Sequence, residues 1–485
     1  MDLTNRLSKS RYTKGLRCPL ALYLAVHHYE WGSDASPEAQ ARMDAGTHVH
    51  EIAHGRFPGG VLIEDDYLHF GDALKHTQEA LESGVDTLFE AAFAHDNVKI
   101  RVDVLRRLAD GGWELIEVKS TKGYDADKHL PDAAVQLHVL LGCGIEVRQV
   151  TLLHLNADYR YLGGGIYDPR DLFAPTDITA EAFDYIERVP SDLAAMMAIL
   201  AQAEQPERPL GVNCKEPYEC EFYAWCHADD VEPDLSQEAQ FVPAVLKRLD
   251  GLRYPLHFVD FETMAPALPI FIGTGPYQRT RVQWSIHTLH EDGRLDHAEW
   301  LLSGADENPD ADFMGSLLDA LPREGTFVHY SSYERTQMVD IACRYPEFRQ
   351  RLVDAIPGFS DKLVETMVKR GISHADLRLG GADGLLDFDL GERAVKLGCL
   401  HPVFGPKGTK WSIKDAIKIL APDLPPYASL TIGNGDLAMI ATEEMLDPRT
   451  PPDVAARIRA DLLAYCCQDT MSMVMIYQTL LAAAS

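Results

Sequence analysis

Few folds accommodate residues 100–124, IRVDVLRRLADGGWELIEVKSTKGY. Two arms rich in Val, Leu and Ile flank ADGG, a turn sequence whose glycines accept the backbone angles a tight hairpin needs. KIRVDVLRRL and WELIEVKS therefore read as paired strands of a hairpin. Side chains alternate across a strand, so Glu117 and Lys119 project from one face, and Asp103 lies near the facing position of the other arm. A solvated face accounts for such a set of charges, and so does a cation site.

The 485 residues exceed one ordinary core, and two or three domains are expected. Residues 1–232 alternate helical and strand patterns and end in a three-cysteine segment. HADDVEPDLSQEAQ, 227–240, is polar, contains proline and reads as a linker. A new apolar strand opens at LHFVDFET, VQWSIHTLHED and RLDHAEWLL read as a strand pair, GTFVHYSS as a further strand, and the chain from 335 onward as mainly helical. The expected fold class is α/β in two domains, 1–232 and 233–485, with no internal repeat.

The composition, 46% hydrophobic and 25% charged, is that of a globular protein. A net charge of -29 argues against a broad electrostatic grip on nucleic acid, but leaves room for a local basic groove or an acidic metal cluster. No apolar run approaches the ~20 residues that span a bilayer. PLALYLAV runs straight into HHYEW, so no signal peptide is read and a cytoplasmic location is expected. In that compartment the nine cysteines are not expected to form disulfides. Cys143, Cys343, Cys399, Cys466 and Cys467 are expected in the core.

Carboxylates on adjacent strands can hold hard cations such as Mg²⁺ or Mn²⁺ through oxygen. Such an ion makes its water more acidic and neutralises charge at a phosphate, while a lysine beside it orients the water or contacts the phosphate. Upstream, GTHVHEIAH places His50 on a helix, and downstream AAVQLHVLLG places Gln136 on another. The ordered set of His50, Asp103, E-V-K at 117–119 and Gln136 resembles the PD-(D/E)XK nuclease superfamily, in its RecB-like iron–sulfur branch. That branch includes nucleases of CRISPR adaptation and the AddB helicase–nuclease subunit. The resemblance implies a restriction-endonuclease-like fold in which His50, Asp103 and Glu117 bind metal and Lys119 and Gln136 serve catalysis. Leu140 stands where the family often has tyrosine.

In CKEPYECEFYAWC, Cys214, Cys220 and Cys226 are separated by five residues in each gap, and Cys18 lies far upstream. This split matches the iron–sulfur RecB-like pattern and implies a four-iron, four-sulfur (4Fe–4S) cluster that ties the ends of the domain together. The competing reading is a structural four-thiolate zinc site.

In the second half, YPLHFVDFETMAPALP sets Asp260 and Glu262 on one strand face. ADLLAYCCQDTMSMVMIYQTLL is a strongly apolar helix with Tyr465 and Asp469 one turn apart. An aspartate there needs a partner, because an uncompensated buried carboxylate is costly. The pattern resembles the DEDD exonucleases of the RNase H-like fold, in the variant with tyrosine in the last motif. That resemblance implies Asp260, Glu262 and Asp469 as metal ligands and Tyr465 as the group orienting the attacking water. FVHYSSYERT offers Glu334 where that group has aspartate, and Asp389, on an expected helix in GLLDFDLGERAV, is the alternative.

The whole chain is similar to a bacterial family that fuses the two modules and carries only a predicted nuclease activity. The shared segments are LSKSRYTKGLRCP, CKEPYECEFYAWC, VDFETMAPALPIFIGTGPYQ, KGTKWSIKDAIKILAPDL and YCCQDTMSMV. The expected function is a metal-dependent nuclease with a RecB-like site and a 3′–5′ exonuclease-like site, acting in DNA repair or defence against foreign DNA. DNA is the expected substrate of the first site, and DNA or RNA of the second. The alternative is a nucleic-acid-binding or scaffold protein with one or both sites degenerate. No GxxxxGK(S/T) loop is present, so any unwinding falls to a helicase or another repair or defence partner. KGTKW, 407–411, reads either as a strand contact or as an ordinary surface loop.

Overall fold

In the computed structural model the chain is described over residues 7–207, 214–216, 218–230, 234–304, 307–356, 384–404 and 411–484, with residues 365 and 369. Residues 231–233 of the expected linker and 407–410 of KGTKW lie outside the described residues. Two compact units form: Met1–Asp230 with Ala267–Pro269 and Thr274–Tyr277, and Val231–Pro266 with Ile270–Gly273 and Gln278–Ser485. Both are mixed α/β. No described helix is long and apolar enough to cross a membrane.

The first unit is built on a sheet of β1 (Leu7–Ser8), β2 (Val61–Leu62), β3 (Thr87–His95), β4 (Val98–Arg107), β5 (Trp113–Lys119), β6 (Val147–Leu155) and β7 (Phe173–Asp177). The order is β2-β3-β4-β5-β6-β7, with β1 beside β4. The expected hairpin is β4–β5, antiparallel with Val104 opposite Ile116 and Arg107 opposite Trp113, and Gly111 supplies the positive φ its turn requires. Because β5 and β6 run parallel, the chain must cross over between them, and the helix Ala126–Gly142 does so. Trp113 and Leu115 pack with Ala133, Leu137 and Leu140 of that helix, while Ile116 and Val118 join a cluster on the opposite face. Glu117 therefore falls on the helix-covered face, where it is wholly buried. The parallel pairing of β1 with the start of β4, Leu7 to Val98 and Ser8 to Lys99, delivers the next residue, Lys9, to the same place.

The second unit carries β9 (Leu256–Met264), β10 (Thr280–Leu289), β11 (Leu295–Leu301), β12 (Thr326–His329) and β13 (Leu386–Asp389) in the order β11-β10-β9-β12-β13, and a small pair of β8 (Gln240–Phe241) with β14 (Cys399–Leu400). β9, β10 and β11 form an antiparallel meander, and β12 and β13 run parallel to β9. Alternation along β9 sorts the two faces. Val259 and Phe261 pack with the helices Asp310–Ala320 and Tyr333–Arg344, while Leu256, Phe258 and Met264 share a core with the helix Pro452–Ala484. Asp260 and Glu262 thus point to the side of that long helix.

Two expectations are corrected. Asp389 ends a strand and not a helix, because LDFD extends in register with β12, Val328 against Phe388 and His329 against Asp389. Cys143 is exposed, since it follows the last turn of its helix, whereas Cys399 and Cys466 are buried and Cys343 and Cys467 half-buried.

Candidate metal centres

In the first unit the hairpin charges form one network. The Lys9 ammonium donates to Glu117 Oε1 at 2.9 Å and Oε2 at 3.2 Å, and lies 3.7 Å from Asp103 Oδ1. Lys119 Nζ is 2.8 Å from Glu117 Oε1 and also pairs with Asp132. Gln136 Nε2 donates to Glu117 Oε2 at 2.6 Å, and the Val118 amide to Asp103 Oδ2 at 2.8 Å. Burial alone would raise the Glu117 carboxyl, but Lys119, Lys9 and the Gln136 amide outweigh it and hold Glu117 well below the usual carboxylate range. Burial likewise opposes charge on Lys9, yet Asp103, Glu117 and Asp132 hold its ammonium well above the ordinary lysine value.

The ligand atoms that gather to within 4.8 Å of one another are those of His50, Glu90 and Asp103. His50 and Asp103 are thus brought together as expected of a shared ion, while Glu117 sits outside that trio in the grip of two lysines and a glutamine. Sequence reasoning missed Glu90, Lys9 and Asp132. Glu90 lies in β3 between two pairs of one continuous register, Phe89 with Val104 and Ala91 with Val102, which sets it across from Asp103, and its φ is 54°. A left-handed glutamate stores roughly 1–2 kcal/mol of strain. Glu90→Gly is therefore expected to raise thermal stability by about 1 kcal/mol while lowering Mn²⁺ affinity roughly tenfold or more, as read by melting and by calorimetry. Loss of both stability and affinity would assign Glu90 a purely structural part.

In the second unit, ligand atoms of Asp260, Glu262 and Asp469 lie within 4.8 Å of one another. Two ionised carboxylates at that separation repel by about 3 kcal/mol even at an effective dielectric of ~20, so three cannot stay ionised without a cation. Burial first, then mutual repulsion, raises Asp260 and Glu262 well above the usual range. Burial pushes Asp469 up to about 6, restrained by the Tyr427 hydroxyl, Lys414 and the Tyr465 hydroxyl. Asp260, Glu262 and Glu334 line a cavity of about 380 Å³ whose wall includes Arg279, Tyr333 and Gly435. Glu334 Oε2 is buried without a hydrogen-bond partner, and burial raises this carboxyl to about 7.

Tyr427 donates to Asp469, and the Tyr465 hydroxyl joins it in holding that carboxyl down. Asp389 does not line the cavity; it accepts from the Glu392 amide at 2.8 Å. Of the two alternatives, Glu334 is the one aimed into the site. Tyr427 and Lys414 escaped the sequence reading because they lie on loop and helix segments with no acidic pattern. Lys414 Nζ reaches the Gly433 carbonyl at 2.7 Å and stands over the Tyr427 and Tyr465 rings.

Cys18, Cys220 and Cys226 pack around one small cluster of Leu20, Tyr23, Leu24 and Phe222. Cys214 is tied to them through its carbonyl, which accepts from the Cys220 amide at 2.9 Å. All four thiols are free of disulfides.

A family described as "Domain of unknown function (DUF2779)" matches residues 257–378, the stretch that carries Asp260, Glu262 and Glu334. No curated protein matches the chain in sequence. Among solved structures, a family B DNA polymerase from the hyperthermophilic archaeon Pyrobaculum calidifontis is similar over 78% of this chain, at 12% identity and a TM-score of 0.26. The alignment spans 43% of that polymerase's length.

Proposed function

We propose that the chain is a metal-dependent nuclease with one hydrolytic site in each unit, RecB-like in the first and DEDD-type exonuclease-like, on an RNase H-like fold, in the second. The observation that carries this reading is the convergence of Asp260, Glu262 and Asp469 to within 4.8 Å, from a strand and a distant helix, beside an open cavity. Burying three repelling carboxylates together is costly unless a divalent cation is shared among them. The cavity also presents Glu334 as a fourth oxygen donor and the Arg279 guanidinium to a phosphate.

Bound Mg²⁺ or Mn²⁺ supplies charge neutralisation at the scissile phosphate and a more acidic water. The residues that would hold it are Asp260, Glu262, Asp469 and Glu334 in the second unit, and His50, Glu90 and Asp103 in the first. Tyr427 and Tyr465 fix the rotamer of Asp469 by donating to it. Lys119 and Gln136 fix Glu117, and Lys9 bridges Glu117 to Asp103, the two carboxylates expected to share an ion. Lys119, one-quarter exposed, is the group that faces a substrate phosphate. In the same reading Cys18, Cys214, Cys220 and Cys226 hold a 4Fe–4S cluster, whose part is to join the first residues of the unit to its last. The shared apolar pocket of three of these thiols supports that assignment.

Purified protein incubated with Mn²⁺ and end-labelled single- and double-stranded DNA and RNA tests the proposal. Cleavage is expected, with Lys119→Ala and Asp469→Ala each removing a distinct part of the product pattern. Absence of any metal-dependent cleavage, or cleavage unchanged in both variants, would favour a binding or scaffold role.

A further inference from the structure

A second constellation on the long-helix face of the unit 2 sheet belongs to neither acidic site. β10 and β11 pair so that His287 lies directly opposite His297, their rings stacked with centroids 4.5 Å apart. Cys467 of the helix Pro452–Ala484 completes a trio whose ligand atoms all fall within 4.8 Å of one another. The hydrogen bonds around the trio run in one direction. Thr470 Oγ1 donates to the Cys467 carbonyl at 3.0 Å and is 2.7 Å from His287 Nδ1, so it accepts from that nitrogen. Ser285 Oγ, 2.9 Å from Thr470 Oγ1 and 3.0 Å from His297 Nε2, donates to the first and accepts from the second. With those protons placed, His287 Nε2 and His297 Nδ1 keep free lone pairs. Such outer hydrogen bonds are what fix the tautomer of metal-binding histidines.

We propose that His287, His297 and Cys467 bind a zinc ion, at a site separate from the oxygen-donor centres. Two imidazoles and a thiolate suit a borderline-soft ion, whereas Mg²⁺ and Mn²⁺ prefer carboxylates. Exposed His297 and half-buried Cys467 leave an entry path, and the fourth position falls to water. The ion ties edge strand β11 and central strand β10 to the helix that bears Asp469. Because Cys467 is two residues from Asp469, it fixes that helix against the sheet beside the acidic cavity.

Co²⁺ titration of the full-length, metal-free chain tests this, with the thiolate-to-cobalt charge-transfer absorption as readout. The four cysteines of the first unit contribute equally in every variant, so the parent-minus-variant difference reports this site. His297→Asn and Cys467→Ser are each expected to remove one Co²⁺ and to weaken binding about a hundredfold. The exposed Cys143→Ser and the acidic-site Asp469→Asn are expected to retain the band, and Zn²⁺ to displace the parent's signal. Superimposable isotherms for the parent and His297→Asn would overturn the proposal. Since His297 is exposed, that variant decides the matter even if Cys467→Ser does not fold.

Discussion

Asp260→Asn is expected to remove metal-dependent cleavage by the second unit by roughly a thousandfold and, in metal-free protein, to make the fold more stable. The two effects have one origin. Asp260 is raised by burial and by Asp469, Glu262 and Glu334, so its charge is tolerated only beside a cation. An amide of the same shape removes a ligand and also removes the repulsion. The pH dependence follows from the direction of these shifts. A group whose folded-state pKa is raised contributes stability fully below its unfolded value, near 4 for a carboxyl, and loses it as pH rises through the folded value. With Asp469 at about 6 and Glu334 at about 7, metal-free protein should lose stability between about pH 4 and pH 7. Excess Mg²⁺ or Mn²⁺ should restore it, and Asp260→Asn should flatten the decline. Melting curves over that range, with and without metal, check all three; a metal-free parent as stable at pH 7 as at pH 4 would contradict the arrangement.

Glu117→Ala is expected to do the opposite to the first unit. Glu117 is wholly buried and accepts from Lys9, Lys119 and Gln136, so its removal takes the shared carboxylate from two ammonium groups, leaving them only Asp103 and Asp132, and from the Gln136 amide. Truncating one member of such a buried network costs about 3–5 kcal/mol, and cleavage by this unit should vanish with it. Here the folded pKa is depressed, so the contribution is present above the unfolded value near 4 and is lost as pH falls through the folded one. The stability gap between parent and variant should therefore be full at pH 7 and close in acid. Lys119→Met, at a side chain one-quarter exposed, should cost less stability while still reducing cleavage. A Glu117→Ala protein as stable as its parent at pH 7 would show that the lysines find other partners.

The contrast between the two sites explains what could be read from the sequence. Period-two alternation placed Glu117 with Lys119, and Asp260 with Glu262, each on one strand face, and helical spacing placed Tyr465 by Asp469. Those signals are local and survive into the fold. Three features were not local. Lys9 reaches Asp103 and Glu117 only because β1 pairs with the start of β4, a register no short pattern announces. Glu90 meets Asp103 only because β3 pairs with β4 in a register that sets the two residues across from each other, and it does so at a positive φ. Tyr427 reaches Asp469 across 42 residues of sequence, from a segment with no periodicity of its own. The same limit applies to Asp389, where LDFDLGERAV looked helical although the first four residues complete a parallel strand set by long-range pairing.

Calorimetric titration with Mn²⁺ bears most directly on the central claim that acidic side chains from distant parts of the chain converge, once in each unit, to hold divalent ions. The parent is expected to show two separable classes of binding, one abolished by Asp103→Asn and the other by Asp260→Asn, with neither left in the double variant. Isotherms that are the same in parent and double variant would contradict it.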